Sequence, residues 1–401
     1  MRTREPSEGL ILSLSKDEAV PARFCGGTNL PHPPISAPVA AGSAQHGRPW
    51  HDVAIHIGRA ARARNAALVH EGRGLAGARL AQIEPTALKP GEVRVRLVAA
   101  ALNHRDLWTC RGRAPDLPPV VLGSDGAGIV AETGSAVRDL EPGAEVVINP
   151  SLHWTAGAAA PPADFEILGH PTHGTFAETV AVPRANVEPR PRHLSWEEAA
   201  ALPLSGLTAY RALFTKGGLR SGDAVVIPGI GGGTALQAMQ LAVAAGARVF
   251  VTSTDPAKRD RAVALGATAA YDSALDWAAA VLAETQGRGA DIVVESVGAP
   301  TWTKSLGCLA RGGRIVVYGS TAGDKVELDL PPFFLNWRSV LGTTMGNRAE
   351  FRAMLRFVEQ HRLKPVVDRA LPLEQGIEAL RILEAGRQMG KIVLRIAGSV
   401  P

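Results

Sequence analysis

The run AVVIPGIGGGTALQAMQLA, Ala224 to Ala242, is the segment richest in chemical content. A short apolar run, a cluster of glycines and a helical apolar pattern follow in the order strand, loop, helix. Glycines let the backbone approach a pyrophosphate closely, and a helix N-terminus offers free N–H groups and the positive end of a dipole. Gly231, Gly232, Gly233 and Thr234 are therefore candidates to bind the phosphates of a dinucleotide. The spacing is not a strict GxGxxG. Read from Gly229, the sixth position is Thr234; read one residue later, Ile230 stands where the first glycine belongs and Ala235 where the last does. Alanine is tolerated there, whereas isoleucine is a departure. Taken alone, the loop also fits a tight strand-to-helix turn with no ligand.

The next strand ends in RVFVTSTDPAKR, Arg248 to Arg259. A carboxylate at that strand end accepts hydrogen bonds from ribose hydroxyls and repels a 2′-phosphate. Here the end carries Ser253 and Thr254, with Lys258 and Arg259 one turn later. Hydroxyl donors and a cation suit a phosphate dianion, so NADP(H) is favoured over NAD(H). Asp255 complicates this reading, and Lys258 and Arg259 also fit a solvated helix face.

The elements around these residues divide the chain. Residues 1–64 hold Pro, Gly, Arg and His without sustained apolar period and are expected to be a disordered extension or the result of a start codon placed too early. Glu5, Glu8, Asp17 and Glu18 argue against a transit peptide. From Asn65 short alternating runs such as GEVRVRLVAAAL predict a β-rich unit over 65–185. LSWEEAAALPLSGLTAYRAL then reads as a helix, with Ser195 and Glu198 spaced as a capping box. Continuous Val/Ile runs alternating with helices over 186–346 predict a parallel sheet covered on both faces. Pro256 fits the first turn of its helix. Residues 347–401 hold a helix that Asn347 and Glu350 would cap, then the strand GKIVLRI.

Composition bounds the partners. The chain has 401 residues, 46% hydrophobic and 20% charged, the balance of a globular protein large enough for two domains. Net charge is +5 without a block of Lys and Arg, so nucleic acid binding is not expected. Cys25, Cys110 and Cys308 are far apart, which suggests neither a zinc ribbon nor a disulfide framework and suits a reducing cytoplasm. No apolar stretch is long enough to span a membrane.

AALVHEG, PGEVRVRLVAAALNHRDLW, LGSDGAGIV, GTFAETVAVP, AAALPLSGLTAYRAL, the loop at 229–235, RAVALGAT and GGRIVVYGS occur in this order over about residues 65–397. Together they resemble the medium-chain dehydrogenase/reductase superfamily, especially its quinone oxidoreductase-like members. The resemblance implies an α/β fold: a GroES-like β domain, a Rossmann doubly wound parallel-sheet domain, a C-terminal return to the first domain and a substrate cleft between the two. It also implies a homodimer or homotetramer paired through RSVLGTTMG.

Against the zinc-dependent members the departures are specific. Asn103 stands where they place a cysteine, Gly123-Ser124-Asp125 where they have Gly-His-Glu, and the third ligand position falls on Leu204. The lobe that normally carries four close cysteines has none, and His153, His170 and His173 are irregularly spaced, as surface-loop histidines are. A catalytic zinc needs about three protein ligands, so no zinc is expected. Without a Lewis acid, hydride transfer to a quinone or an α,β-unsaturated carbonyl is less demanding than alcohol oxidation. By resemblance Asn103 lies beside the nicotinamide and offers an amide to a substrate oxygen, or it only caps a turn. Asp106 orients its neighbours or caps the local helix. Trp108 replaces a tyrosine, so it stacks on a planar substrate but delivers no proton. By resemblance Thr208 lies near the nicotinamide end, or it is an ordinary helix threonine; Tyr318 and Gly319, after a Rossmann strand, line the cofactor crevice or form a simple strand-end turn. An alcohol or aldehyde dehydrogenase, and a protein that binds NADP(H) without turnover, stand as alternatives.

Overall fold

The computed structural model describes residues 65–154, 157 and 159–396, all within one compact unit. The expectations for residues 1–64 and Cys25 lie outside the described residues.

The fold is α/β, built on two main sheets. The first is mostly antiparallel, in the order Val187–Pro189, Glu145–Ile148, Asp125–Thr133, Glu92–Ala101, Lys391–Arg395, Val367–Pro372, with Thr179–Pro183 also paired to Glu92–Ala101. A small antiparallel sheet of Ala78–Ile83, Asn65–His70 and Val120–Val121 lies against it. Val93, Val95 and Leu97 alternate inward along the longest strand and form a core with Leu122, Ile148 and Phe176. This is the GroES-like lobe.

The second sheet has six parallel strands, ordered Ala269–Asp272, Arg248–Ser253, Ala224–Ile227, Ala290–Glu295, Leu309–Val317, Ser339–Gly342. Outward from the first strand in sequence, the order runs two strands one way and three the other, the doubly wound pattern whose reversal point binds dinucleotides. Val225 and Ile227 face one helical layer and Ala224 and Val226 the other, so both faces are covered.

Local signals account for many boundaries. The Ser195 hydroxyl accepts from Glu198 N and the Glu198 carboxylate accepts from Ser195 N; Asn347 and Glu350 repeat the arrangement. Pro256 opens its helix behind Asp255. Two expectations need correction. LSWEEAAALPLSGLTAYRAL is not one helix: it forms Trp196–Ala200 and Pro203–Tyr210, then a π-helical turn Arg211–Lys216. Proline lacks the N–H that would continue the first helix, and Leu204 donates its N–H to Asp125 Oδ1 at 2.7 Å instead. The boundary expected between 185 and 186 also cuts off Val187–Pro189, which pairs with Glu145–Ile148 of the first sheet.

The chain returns to its first lobe at the end. Lys391–Arg395 pairs antiparallel with Glu92–Ala101, setting Val393 opposite Ala101. Just before it, Gly390 donates its N–H to Gly231 O at 2.9 Å. One strand thus binds the first sheet and touches the glycine loop.

Candidate active site

The glycine loop has the shape its sequence requires. Gly229 and Gly231 take φ of 72° and 148°, in the range that favours glycine. Gly229 N donates to Thr252 Oγ1 at 3.1 Å and Ile230 N to Thr252 O at 2.7 Å, which fixes the loop to the next strand. The isoleucine that breaks the motif is 3% exposed and packs in the core between the lobes. Gly232 precedes the helix Gly233–Ala244, whose N-terminus has no side-chain cap. Its first N–H groups are therefore open to an anion. A Cβ on Gly233 would lie 2.5 Å from Lys391 Cδ, so a side chain there would require the buried lysine to shift. An uncapped N-terminus behind a close-packed glycine cradle fits a dinucleotide diphosphate.

Ser253 is buried, and its Oγ accepts from Asp255 N at 3.1 Å. The Asp255 carboxylate accepts from Ala257 N and Lys258 N, so it faces its own helix. Lys258 reaches to the glycine loop: a Cβ on Gly231 would sit 3.3 Å from its Nζ, which donates to Gly386 O at 3.2 Å. Arg259 turns back onto Ser253 O and Asp272, so it is not the solvated residue a bare helix face would carry. Tyr318 follows the strand Leu309–Val317, with its N–H on Glu295 O at 3.0 Å, and Gly319 packs beside Ser296. The buried Thr208 hydroxyl donates to Leu204 O at 2.8 Å and lies 3.9 Å from Met345 Sδ.

Around Asn103 the first lobe assembles a buried polar cluster. Asn103 precedes the helix His104–Gly112, and its N–H donates to Asp106 Oδ2 at 2.7 Å. Asp106 is 1% exposed, and burial pushes its carboxyl up to about 6. Asn103 Nδ2 donates to Asp125 Oδ2 at 2.9 Å and to Ala101 O at 3.4 Å. Both amide hydrogens are thus engaged, which tells against the expected donation to a substrate oxygen from this position. Lys391 Nζ donates to Asn103 Oδ1 at 2.5 Å and to Asp125 Oδ2 at 2.9 Å. Beside this cluster Arg105 Nη1 donates to Ser124 Oγ at 2.8 Å, and Ser124 donates onward to Leu168 O at 2.6 Å. Trp108 lies on the same helix, half exposed, edge-on to His104 at 6.3 Å between ring centroids.

Lys391, Asp125 and Arg105 as side chains of this cluster escape the sequence reading. The available signal was a charged residue opening the otherwise apolar strand KIVL.

The fold and the site define a two-lobed oxidoreductase with a dinucleotide crevice against a GroES-like catalytic lobe. Residues 89–192 match the family description "Alcohol dehydrogenase GroES-like domain" and residues 233–360 match "Zinc-binding dehydrogenase". A zinc-type alcohol dehydrogenase-like protein of Schizosaccharomyces pombe is 36% identical over 323 residues, covering 78% of this chain and 93% of that protein. A solved structure described as an NAD-dependent alcohol dehydrogenase is 41% identical with a TM-score of 0.78, over 83% of this chain and 100% of that one. The solved 2-octenoyl-CoA carboxylase reductase CinF, in complex with NADP and 2-octenoyl-CoA, is 27% identical with a TM-score of 0.77, over 84% of this chain and 88% of that one. The chain belongs to the medium-chain dehydrogenase/reductase superfamily.

That family includes zinc enzymes, and the donor set at the corresponding positions does not suit zinc. Leu204 has no ligating atom. Asp125 Oδ1 is taken by Leu204 N, and its Oδ2 by Lys391 and Asn103. Two cations, Lys391 and Arg105, already stand at the oxygens of Asn103, Asp125 and Ser124. Among the described residues no three His, Cys, Asp or Glu side chains converge as metal ligands. His153 is exposed, and His173 Nδ1 accepts from Val121 N at 3.1 Å.

Proposed function

We propose that this chain is a zinc-independent oxidoreductase that uses NADP(H) to reduce an activated C=C bond, in an α,β-unsaturated carbonyl compound or a quinone. The Lys391–Asn103–Asp125 cluster carries this reading: an ammonium, not an open ligand set, meets the oxygens at the metal's position. Without a Lewis acid an alcohol keeps its high pKa, and its oxidation is hard. Reduction of a conjugated C=C needs orientation and donors to a developing oxyanion. The structural relative with NADP and an enoyl-CoA in its title is consistent with that chemistry.

A nicotinamide held in this crevice would supply hydride for the electron-poor carbon, and the proton that completes the reduction would come from water. The protein's part is positioning. Gly231, Gly232, Gly233 and Thr234 hold the diphosphate against the helix N-terminus. Ser253 and Lys258 take the 2′-phosphate; support comes from Asp255, whose carboxylate is committed to its helix. Tyr318 and Gly319 line the crevice, and Thr208 with Met345, 3.9 Å apart, would flank the nicotinamide. Trp108 offers an indole face to a planar substrate, and Asp106 fixes Asn103 through its backbone N–H.

The chain is inferred to act as a homodimer or homotetramer through the outermost parallel strand, Ser339–Gly342. Support comes from the apolar surface near it in sequence: Leu330, Phe334, Leu335, Trp337 and Val340 are exposed. A second reading, an alcohol dehydrogenase with unusual ligands, is favoured by the 41% identical relative. The test is oxidation of NADPH and NADH with 1,4-benzoquinone and a simple enone as acceptors. NADPH-preferring turnover supports the proposal. Activity only with an alcohol and added zinc supports the second reading.

A further inference from the structure

We infer that the cleft between the first lobe and the helix Arg348–Gln360 is an anion site, separate from the coenzyme crevice, for a small ligand that carries a diphosphate or a longer phosphate chain. The cleft is an open cavity of about 460 Å³, within the size range of small-molecule sites. Its walls come from Ser151 to Trp154, from the turn Arg184–Asn186 and from the helix; none of its residues belongs to the glycine loop or to the Asn103 cluster. This site is independent of the proposed reduction.

Three observations point to an anion. First, Arg348, Arg352 and Arg356 line the cavity four residues apart, on one face of the helix, while Phe351, Met354, Leu355 and Val358 bury the other. Like charges at this spacing repel one another, so the row is favourable only where something negative meets it. Second, the chain meets it only in part. Glu188 Oε1 accepts from Arg348 Nε at 3.2 Å and from Arg352 Nε at 2.6 Å. Arg356 is exposed and has no hydrogen bond or ion pair among the described residues. Three guanidinium charges against one carboxylate leave a net charge of +2. Third, the opposite wall holds donors without acceptors. Ser151 and Trp154 are 2% and 3% exposed, and Ser151 Oγ and Trp154 Nε1 have no partner among the described residues, which is rare for buried polar groups. Between them His153 takes φ of 64°, a conformation that non-glycine residues seldom adopt and that recurs at ligand clamps.

Guanidinium groups present a planar fork that matches phosphate oxygens. Eight helical residues span about 12 Å, more than one phosphate covers, so a phosphate chain can bridge neighbouring arginines where a single phosphate meets one.

The experiment titrates inorganic pyrophosphate calorimetrically into the full chain, with NADP+ at a saturating concentration so that the glycine loop is filled. Wild type is compared with Arg356→Gln, which strands no partner, and with Arg220→Gln, an exposed arginine outside the cavity. Arg356→Gln is expected to weaken pyrophosphate binding about tenfold, the loss of one charge-assisted contact, and Arg220→Gln to leave it unchanged. Orthophosphate should bind the wild type more weakly than pyrophosphate. A wild type that binds no pyrophosphate, or equal affinity in wild type and Arg356→Gln, overturns the inference. So does equal weakening by Arg220→Gln, which would reduce the row to general surface charge. Pyrophosphate that displaces NADP+ would also overturn it, by placing the anion in the coenzyme crevice, and orthophosphate bound as tightly as pyrophosphate would overturn the assignment to a phosphate chain.

Discussion

Lys391 Nζ lies 2.9 Å from Asp125 Oδ2, with the two side chains 3% and 0% exposed and 266 positions apart in the sequence. A charge pair this deeply buried is held in place mainly by the cost of separating it. Removing one partner of such a pair destabilises by about 3–5 kcal/mol, whereas replacing both with neutral groups is often tolerated. Lys391→Met should therefore lower unfolding free energy by roughly that amount, and Lys391→Met with Asp125→Asn should recover most of it. Urea denaturation of the two variants checks this. Equal losses in both would mean that the pair is not coupled as its geometry implies.

Asp106 gives a pH signature. Its carboxyl is raised from 3.8 to about 6, chiefly by burial, with Arg105 opposing the shift. Between those values the folded chain holds a proton that the unfolded chain has released. Its contribution to stability is therefore greatest below pH 3.8 and falls as pH rises to about 6. Two pKa units correspond to about 3 kcal/mol. Asp106→Asn keeps an acceptor for Asn103 N–H but does not titrate, so the stability of the wild type relative to this variant should rise by about 2–3 kcal/mol from neutral pH to the acid end of the window. A difference that stays level with pH would show that Asp106 ionises freely in the fold.

The proposed NADP(H) preference is tested at Lys258. Neutralising it in Lys258→Ala removes a charge-assisted contact worth about 1.5–3 kcal/mol, so NADPH affinity should fall by about tenfold or more while NADH affinity changes little. Fluorescence titration at two salt concentrations checks both the size and its electrostatic origin. Equal losses for the two coenzymes would assign Lys258 to the diphosphate, beside Gly231.

Assembly is tested at the sheet edge. Val340 is 38% exposed on the outermost strand, and a lysine there blunts an edge against pairing. Val340→Lys is expected to shift light-scattering mass to the monomer with little change in monomer stability. An unchanged oligomer would move the interface elsewhere, and a monomeric wild type would remove it.

Much of this architecture is legible in the sequence because the signals are local. The glycine loop, the Val/Ile runs and the two capping boxes are each decided by residues a few positions apart. Where neighbours do not decide, the sequence misleads. Val187–Pro189 is a three-residue strand whose membership depends on Glu145–Ile148. The helix break at Pro203 is completed by Asp125, which takes Leu204 N. Lys391 reads locally only as part of the strand GKIVLRI, and pairing of that strand with Glu92–Ala101 is what brings it onto Asn103. Asn103 is a candidate site residue on sequence grounds, but its engagement with Asp125 and Lys391 is not legible there, because hydrogen-bond saturation is a tertiary property.

The most direct measurement is turnover against metal content. The purified chain is dialysed against EDTA, its zinc is quantified, and NADPH oxidation is followed with an enone acceptor before and after zinc is restored. Full activity in zinc-free protein, with no gain on adding zinc, is the expected result. Activity that disappears with the metal and returns with one zinc per chain would contradict it.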